Sequence, residues 1–223
     1  MTRRMVGILV FADVEVLDFC GPFEVFSAVR LDEGRRREEP SPFEVALIAE
    51  RPGVVVATGG LKVVPDHTID DAPPLDLLLV PGGWGTRREL DNARLIAWIA
   101  KRARGVEMLA SVCTGSLLLG RAGLLRGRRS TTHWEALALM RELFPDVEVV
   151  DDEHVVEDGD ILTSAGISAG IDLALRVVAR LHGPAIALAT ARHMEYPFPD
   201  DNRRRVDLAA SGRPRPSPGD RAG

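Results

Sequence analysis

The chain has 223 residues, of which 45% are hydrophobic and 27% charged, and its formal net charge is −5. This composition is sufficient for one well-filled globular core. A negative chain without a concentrated basic face argues against nucleic-acid binding, and we interpret the arginine clusters at 35–37 and 203–205 as solvated loop charge. Cys20 and Cys113 are the two cysteines, so a disulfide framework is not expected.

The N-terminus has no pattern typical of a signal peptide. Residues 1–5 lead directly into the apolar run Val6–Phe11, which is too short to span a membrane and is typical of a buried strand. We therefore expect a cytoplasmic protein that does not associate with membranes.

In chain order, short apolar runs alternate with segments of helical periodicity. The predicted strands are Val6–Phe11, Phe43–Ala49, Leu75–Val80, Val106–Val112, Val147–Val150, Val155–Glu157 and Ile161–Thr163. The predicted helices are Phe19–Arg30, Leu90–Ala103, Ser116–Leu125, Ala136–Leu143, Ala169–Leu181 and Pro184–Met194. This alternation predicts a doubly wound α/β fold, in which helices cover both faces of a mostly parallel sheet. Residues 1–200 are expected to form a single domain, with a loop at Leu31–Pro42 and a flexible C-terminal tail at 201–223.

Cys113 lies between a predicted strand and a predicted helix, at a turn of small residues. A nucleophile elbow has this strand, turn and helix and presents its side chain above the sheet, although the Gly-x-Ser-x-Gly signature is absent here. Unpaired N–H groups at a helix N-terminus favour the thiolate, which is the nucleophilic form. The pattern predicts cysteine chemistry on a small molecule. The alternative is a buried structural cysteine that lets the helix approach the sheet.

Two more features fall at the carboxyl ends of predicted strands, where ligands bind in such sheets. The turn Pro81–Gly85 has glycines that let backbone N–H groups approach a ligand, or it is simply a tight connection. It does not match either glycine-rich phosphate-binding pattern. Asp18 follows the first strand and is either an acid at the site or a helix N-cap. Glu15 and Glu24 are rivals for the acidic role, and Glu24 is expected to be exposed on the helix.

Five segments together resemble the PfpI/ThiJ superfamily, which has the flavodoxin-like fold of class I glutamine amidotransferases. The similarity extends over the chain to about residue 200, and within the superfamily it is greatest to the isonitrile hydratase branch and to the ligand domains of AraC-type regulators. The matching segments are 17–25, Leu78–Gly83, Val112–Gly115, 123–134 with its Thr-Thr-His, and 163–172.

The resemblance implies roles for individual residues. Cys113 would be the nucleophile, and Asp18 the acid that exchanges a proton with substrate or water. The N–H groups of Thr114 and Gly83 would face developing negative charge, with Gly82 in the same turn. His133, in the Thr-Thr-His motif, would lie near the nucleophile or at a subunit interface. We expect a homodimer that acts on a small-molecule substrate and needs no metal or other cofactor.

In peptidase-like and glutaminase-like relatives the nucleophile is followed by, or paired with, a histidine base, whereas here Thr114 follows Cys113, so neither activity is expected. The resemblance instead implies hydration of an isonitrile, R–N≡C, through a cysteine thioimidate to an N-substituted formamide. Trp84 and Trp134 are either walls for a bulky apolar group or packing residues.

The main alternative is a non-enzymatic sensor that uses the same cysteine pocket. A stand-alone AraC-type regulator is not expected, because the chain after Met194 is too short for a helix-turn-helix pair. Redox sensing by oxidation of Cys113 to a sulfinate is a further alternative. Asp18 stands where such relatives have glutamate, and its shorter side chain argues against that role.

Overall fold

The computed structural model describes residues 3–208. Its strands are β1 (Arg4–Leu9), β2 (Phe43–Ala49), β3 (Val55–Val56), β4 (Lys62–Val63), β5 (His67–Thr68), β6 (Leu77–Val80), β7 (Met108–Val112), β8 (Arg129–Ser130), β9 (Glu148–Val149), β10 (Val155–Asp158) and β11 (Ile161–Ser164). Its α-helices are α1 (Val16–Ala28), α2 (Thr86–Glu89), α3 (Ala93–Arg102), α4 (Gly115–Arg121), α5 (Leu137–Leu143), α6 (Ala169–His182) and α7 (Pro184–His193). Single 3₁₀ turns lie at Glu33–Arg35, Thr58–Gly60 and Trp134–Ala136.

The main sheet of the described chain has seven strands in the order β10-β11-β7-β6-β1-β2-β5. Its strand pairs are parallel except for the antiparallel pair of β10 with β11. Two helix groups pack on the sheet, one of α1, α6 and α7 and one of α2, α3 and α4. The structure confirms the predicted α/β fold with a mostly parallel sheet.

The central strands are fully buried, which explains why their sequences are continuous apolar runs. Every residue of β6 and of β7 is buried. A strand covered by helices on both faces has no solvent-facing side chains, so the alternation seen in half-exposed strands is lost. Because β1, β6 and β7 are parallel, the turns that follow them emerge at one edge of the sheet.

Several boundaries differ from the sequence prediction. The first helix begins at Val16 rather than Phe19, and its N-cap residue Glu15 makes no side-chain hydrogen bond that would mark the start. The predicted helix Leu90–Ala103 begins later than expected, at Ala93. Asn92 caps it, because its side chain accepts a hydrogen bond from the N–H of Leu95. The two-residue strands β3, β4, β5 and β8 were not predicted, since such short strands leave no periodicity to detect.

The segment 201–205, which we call the C-terminal strap, does not follow the prediction of a flexible tail. Arg203 forms an antiparallel bridge with Glu153, and the N–H of His154 donates to the carbonyl of Asn202 at 2.7 Å. Arg204 and Arg205 bond to buried groups of the domain, so they are not the solvated loop charge expected from the sequence. The rest of the predicted tail from residue 209 onward lies outside the described residues.

Within residues 3–208, no helix is both long enough and apolar enough to cross a membrane. Cys20 and Cys113 are both free thiols.

Candidate active site

Cys113 sits directly after β7 in a strained backbone conformation. Its φ is 56°, a left-handed value that residues other than glycine rarely adopt, and its side chain is buried. Its N–H donates to the carbonyl of Ala165 at 3.1 Å. Its carbonyl accepts hydrogen bonds from Thr132 Oγ1 at 3.0 Å and Ser116 Oγ at 3.2 Å. Three neighbours thus hold this peptide in the elbow conformation predicted from the sequence.

Asp18 lies in the first turn of α1 and is completely buried. Its Oδ2 accepts a hydrogen bond from the N–H of Gly82 at 2.9 Å, across from the turn after β6. Its Oδ1 is buried without a nitrogen or oxygen partner among the described residues, and the thiol of Cys113 interacts with this carboxyl group. The N-cap alternative is excluded, because the helix begins before Asp18.

The sheet order explains why these two side chains meet. β6 lies between β1 and β7, so the turns that carry Asp18, Gly82 and Cys113 are neighbours at one edge. The turns also approach very closely, since a Cβ at Gly82 would lie 2.5 Å from both the nitrogen and Oγ1 of Thr114. Only glycine fits at this position. The close approach of the turns leaves the Gly82 N–H within hydrogen-bonding distance of Asp18.

Burial raises the pKa of Asp18 to about 8, and the charge of Glu15 acts in the same direction. The N–H of Gly82 and the thiol of Cys113 lower this pKa, but burial dominates because a charged carboxylate loses its hydration. Asp18 is therefore mostly protonated at pH 7.

Burial also raises the pKa of the Cys113 thiol, and the Asp18 charge adds to this effect. The backbone N–H groups of Thr114 and Ile167 and the Thr114 side chain act in the opposite direction. The expected bias toward thiolate at the start of α4 is thus outweighed by burial, and the resting pair holds protons on both groups.

The hydroxyl of Thr114 organises the glycine turn. Its Oγ1 accepts a hydrogen bond from the N–H of Gly83 at 3.0 Å and shares a hydrogen bond with Thr86 Oγ1 at 3.0 Å. The N–H groups of Gly82 and Gly83 are therefore both bound by protein groups. This differs from the expectation that the N–H of Gly83 faces the pocket.

Ile167 is a site residue that the sequence analysis did not single out. It follows β11, has φ of 54° and supplies a backbone N–H to the Cys113 sulfur. A β-branched residue at positive φ is a clear outlier, and such strain is concentrated at functional sites. Its segment belongs to the family resemblance, but neither charge nor side-chain chemistry marked it as a donor.

A pocket of about 220 Å³ opens above the thiol. Its walls combine apolar, aromatic and charged side chains, and the lining residues are Glu15, Gly83, Trp84, Thr86, Arg87, Cys113, Thr114, Leu117, His133, Glu135, Ala136, Leu139 and Ile167. Of the two tryptophans, Trp84 lines the pocket and stacks its ring 4.3 Å from the Arg87 guanidinium carbon. Trp134 does not line it and packs against the His133 ring instead.

His133 faces the pocket as a neutral ring, because burial lowers its pKa. Its Nδ1 accepts a hydrogen bond from the N–H of Glu135 at 3.3 Å. The proton of the neutral ring must then be on Nε2, which makes that nitrogen a hydrogen-bond donor. Of the rival acids, Glu15 also lines the pocket, whereas Glu24 is exposed as predicted.

Among residues 3–208, no group of three or more histidine, cysteine, aspartate or glutamate side chains is placed to hold a metal ion. His154 is buried in a pair with Asp172, their Nε2 and Oδ2 atoms 3.2 Å apart.

The profile of the DJ-1/PfpI family matches residues 4–180. The chain belongs to the DJ-1/PfpI family. It is 34% identical to isonitrile hydratase from Pseudomonas putida over 208 residues, an alignment that covers 92% of this chain and 85% of that enzyme. It is 39% identical over 136 residues to the HTH-type transcriptional regulator CdhR from Pseudomonas aeruginosa, covering 61% of this chain but only 40% of the regulator.

Solved structures of the DJ-1/PfpI family have the same fold. A THiJ/PfpI family protein from Pseudomonas syringae superimposes with a TM-score of 0.77 at 30% identity, covering 91% of this chain and 79% of that one. DJ-1beta from Drosophila melanogaster superimposes with a TM-score of 0.73 at 18% identity, covering 88% of this chain and 100% of that one. At 18% identity, the similarity to DJ-1beta shows the shared fold alone.

Proposed function

We propose that this member of the DJ-1/PfpI family is a cysteine-dependent isonitrile hydratase, which adds water to R–N≡C to give R–NH–CHO. The observation that carries the proposal is the pairing of a strained, buried thiol that lines the pocket, Cys113, with a buried and protonated acid, Asp18. The similarity to isonitrile hydratase over most of both chains supports it.

In the first step the thiol adds to the terminal carbon of the isonitrile. The S–C bond forms, the S–H bond breaks, and the same carbon gains a hydrogen, giving the thioimidate R–N=CH–S–Cys113. Asp18 relays the proton: its O–H protonates the carbon while its other oxygen accepts the thiol proton. The carboxyl group is neutral before and after, which suits a pKa raised to about 8.

In the second step water adds to the thioimidate carbon, and Asp18 passes the water proton to nitrogen. The adduct R–NH–CH(OH)–S–Cys113 then collapses: the C–S bond breaks, the C=O bond forms, and the hydroxyl proton passes to sulfur as the N-substituted formamide leaves. Negative charge that develops on sulfur is stabilised by the N–H groups of Thr114 and Ile167. Gly82 holds Asp18 in place, Gly83 holds Thr114, and His133 donates from Nε2 to a polar atom of substrate or water.

The test is whether the protein converts cyclohexyl isocyanide to N-cyclohexylformamide, and chromatography measures the product. Wild type and the control Cys20→Ala are expected to turn over equally, whereas Cys113→Ala is inactive. Asp18→Asn keeps an acceptor for the Gly82 N–H but cannot relay a proton, and we expect it to be slower by about 10²–10⁴-fold. Equal activity of Cys113→Ala and wild type would refute covalent catalysis.

A second candidate function is sensing of a small molecule or an oxidant through the same pocket. The similarity to regions of transcriptional regulators favours it. In that case cyclohexyl isocyanide gives no formamide, while Cys113 is still alkylated by iodoacetamide or oxidised by peroxide. We also propose that the protein is a homodimer, which sedimentation equilibrium of the purified protein tests, and that it is cytoplasmic, which fractionation of cells that express it tests.

A further inference from the structure

The C-terminal strap, residues 201–205, is fastened to the domain along its length. The N–H of Arg204 donates to the carbonyl of Asp152 at 2.7 Å, and Asn202 Nδ2 donates to the carbonyl of Val155 at 2.7 Å. Arg205 donates to the buried carboxylate of Asp172 at 2.8 Å. This segment is thus a built part of the domain, and its side chains hold defined positions.

The Arg204 side chain points toward the loop that supports the nucleophile. Its Nη2 donates to Thr131 Oγ1 at 2.5 Å and to the carbonyl of Thr132 at 3.1 Å, and its Nε donates to the carbonyl of Asp151 at 2.7 Å. Both threonines are completely buried. The planar guanidinium group therefore fixes the position of Thr132 relative to the C-terminal strap.

Thr132 continues this chain of hydrogen bonds to the nucleophile, because its Oγ1 donates to the carbonyl of Cys113 at 3.0 Å. The carbonyl of Cys113 and the N–H of Thr114 belong to one planar peptide unit and point in opposite directions. Holding the carbonyl therefore fixes the direction of the Thr114 N–H, which lowers the pKa of the Cys113 thiol.

We propose that Arg204 is a positioning residue for the nucleophile, which acts through Thr132 on the peptide unit between Cys113 and Thr114. Loss of its hydrogen bonds lets Thr132 shift, and the N–H of Thr114 then stabilises the thiolate less well. The inference rests on the proposed role of Cys113 as nucleophile, but it does not require that an isonitrile be the substrate.

The test measures the alkylation rate of Cys113 by iodoacetamide as a function of pH, with mass spectrometry to separate Cys113 from Cys20. Because burial raises the pKa of the Cys113 thiol, its alkylation rate rises with pH throughout the range in which the protein stays folded. In Arg204→Gln alkylation is expected to be about tenfold slower at each pH, which corresponds to a thiol pKa about one unit higher. Arg203→Gln is the matched control, because its exposed side chain lies outside this chain of bonds, and it is expected to behave as wild type.

Arg204→Lys separates position from charge. Lysine keeps the positive charge but cannot form the forked set of bonds, so its profile is expected to follow Arg204→Gln. A wild-type profile in Arg204→Lys would assign the effect to charge alone and overturn the proposal. So would a wild-type alkylation rate in Arg204→Gln, even with lower stability in urea, because a purely structural contact changes stability without slowing alkylation of the folded protein.

Thr132 provides a second route if Arg204→Gln does not fold. Thr132→Val removes the hydroxyl at nearly constant shape and is expected to slow alkylation of Cys113 similarly, whereas Thr132→Ser keeps the rate near wild type. The double variant Arg204→Gln/Thr132→Val should be no slower than Thr132→Val, since both residues act through one series of hydrogen bonds. Multiplied rate losses in the double variant would contradict this pathway. Asp18 faces the sulfur and titrates with it, and the other ionisable pocket residues are Glu15, Arg87, His133 and Glu135, all unchanged in these variants.

Discussion

Ionisation of Asp18 should make the stability of this protein fall as pH rises, and Asp18→Asn isolates that effect. Burial raises the pKa of Asp18 from an ordinary value of 3.8 to about 8 in the folded protein. Between these values the folded state keeps a proton that the unfolded state releases, so higher pH favours unfolding. The penalty is absent below pH 4, grows between pH 4 and 8, and is constant above.

The magnitude follows from about 1.4 kcal/mol per pH unit for one proton. From pH 5 to pH 7, the free energy of unfolding of wild type relative to Asp18→Asn should therefore fall by about 2.7 kcal/mol. Asparagine does not ionise and retains an oxygen for the Gly82 N–H. The contributions of the other titrating groups therefore cancel in the difference between wild type and Asp18→Asn. Over the whole window the penalty is on the order of 6 kcal/mol, and the packing around Asp18 must offset it.

The assay is urea unfolding under reducing conditions at pH 5, 6 and 7. Glu24→Gln, which removes an exposed carboxyl group from the same helix, is the control and should leave the pH dependence unchanged. A difference between wild type and Asp18→Asn that does not vary with pH would show that Asp18 ionises normally, and it would remove the basis for a neutral proton relay.

Three further substitutions test the geometry of the site and its support, each by urea unfolding. Gly82→Ala places a Cβ 2.5 Å from the backbone of Thr114, so we expect a loss of about 1–3 kcal/mol. An unchanged stability would mean that the two turns can separate. Thr114→Val leaves the N–H of Gly83 without its acceptor and should cost about 1–3 kcal/mol, with Thr114→Ser close to wild type. Asp172→Ala unpairs the buried His154 and should cost about 3 kcal/mol; a loss below 1 kcal/mol would mean that the pair is dispensable.

The sequence was most informative where burial dictates residue type. The strands β1, β2, β6 and β7 are mostly apolar, and their order along the chain was enough to predict a mostly parallel sheet. Cys113 and Asp18 could be placed at the same edge of that sheet, because both follow its strands and the carboxyl ends of parallel strands share an edge. The strand order that makes them neighbours came from the structure.

What the sequence did not reveal depends on contacts between distant segments. Ile167 acts through a backbone N–H, which every residue except proline has, so its identity carries no signal. Arg204 looked like solvent-facing charge because nothing local distinguishes an arginine bound to Thr131 from one in water. The ionisation of the acid and thiol also depends on how deeply the fold buries them, which a residue list does not contain.

The position of β6 between β1 and β7 has a consequence for the order in which the molecule assembles. Asp18 and Cys113 come from distant parts of the chain and are neighbours only after β6 has joined both strands. Contacts of such long sequence separation are slow to form, because closing the long loops between them costs entropy. Until they form, the thiol is exposed and has the reactivity of an ordinary cysteine. Protection of Cys113 from a pulse of alkylating reagent during refolding thus reports when β1, β6 and β7 have joined.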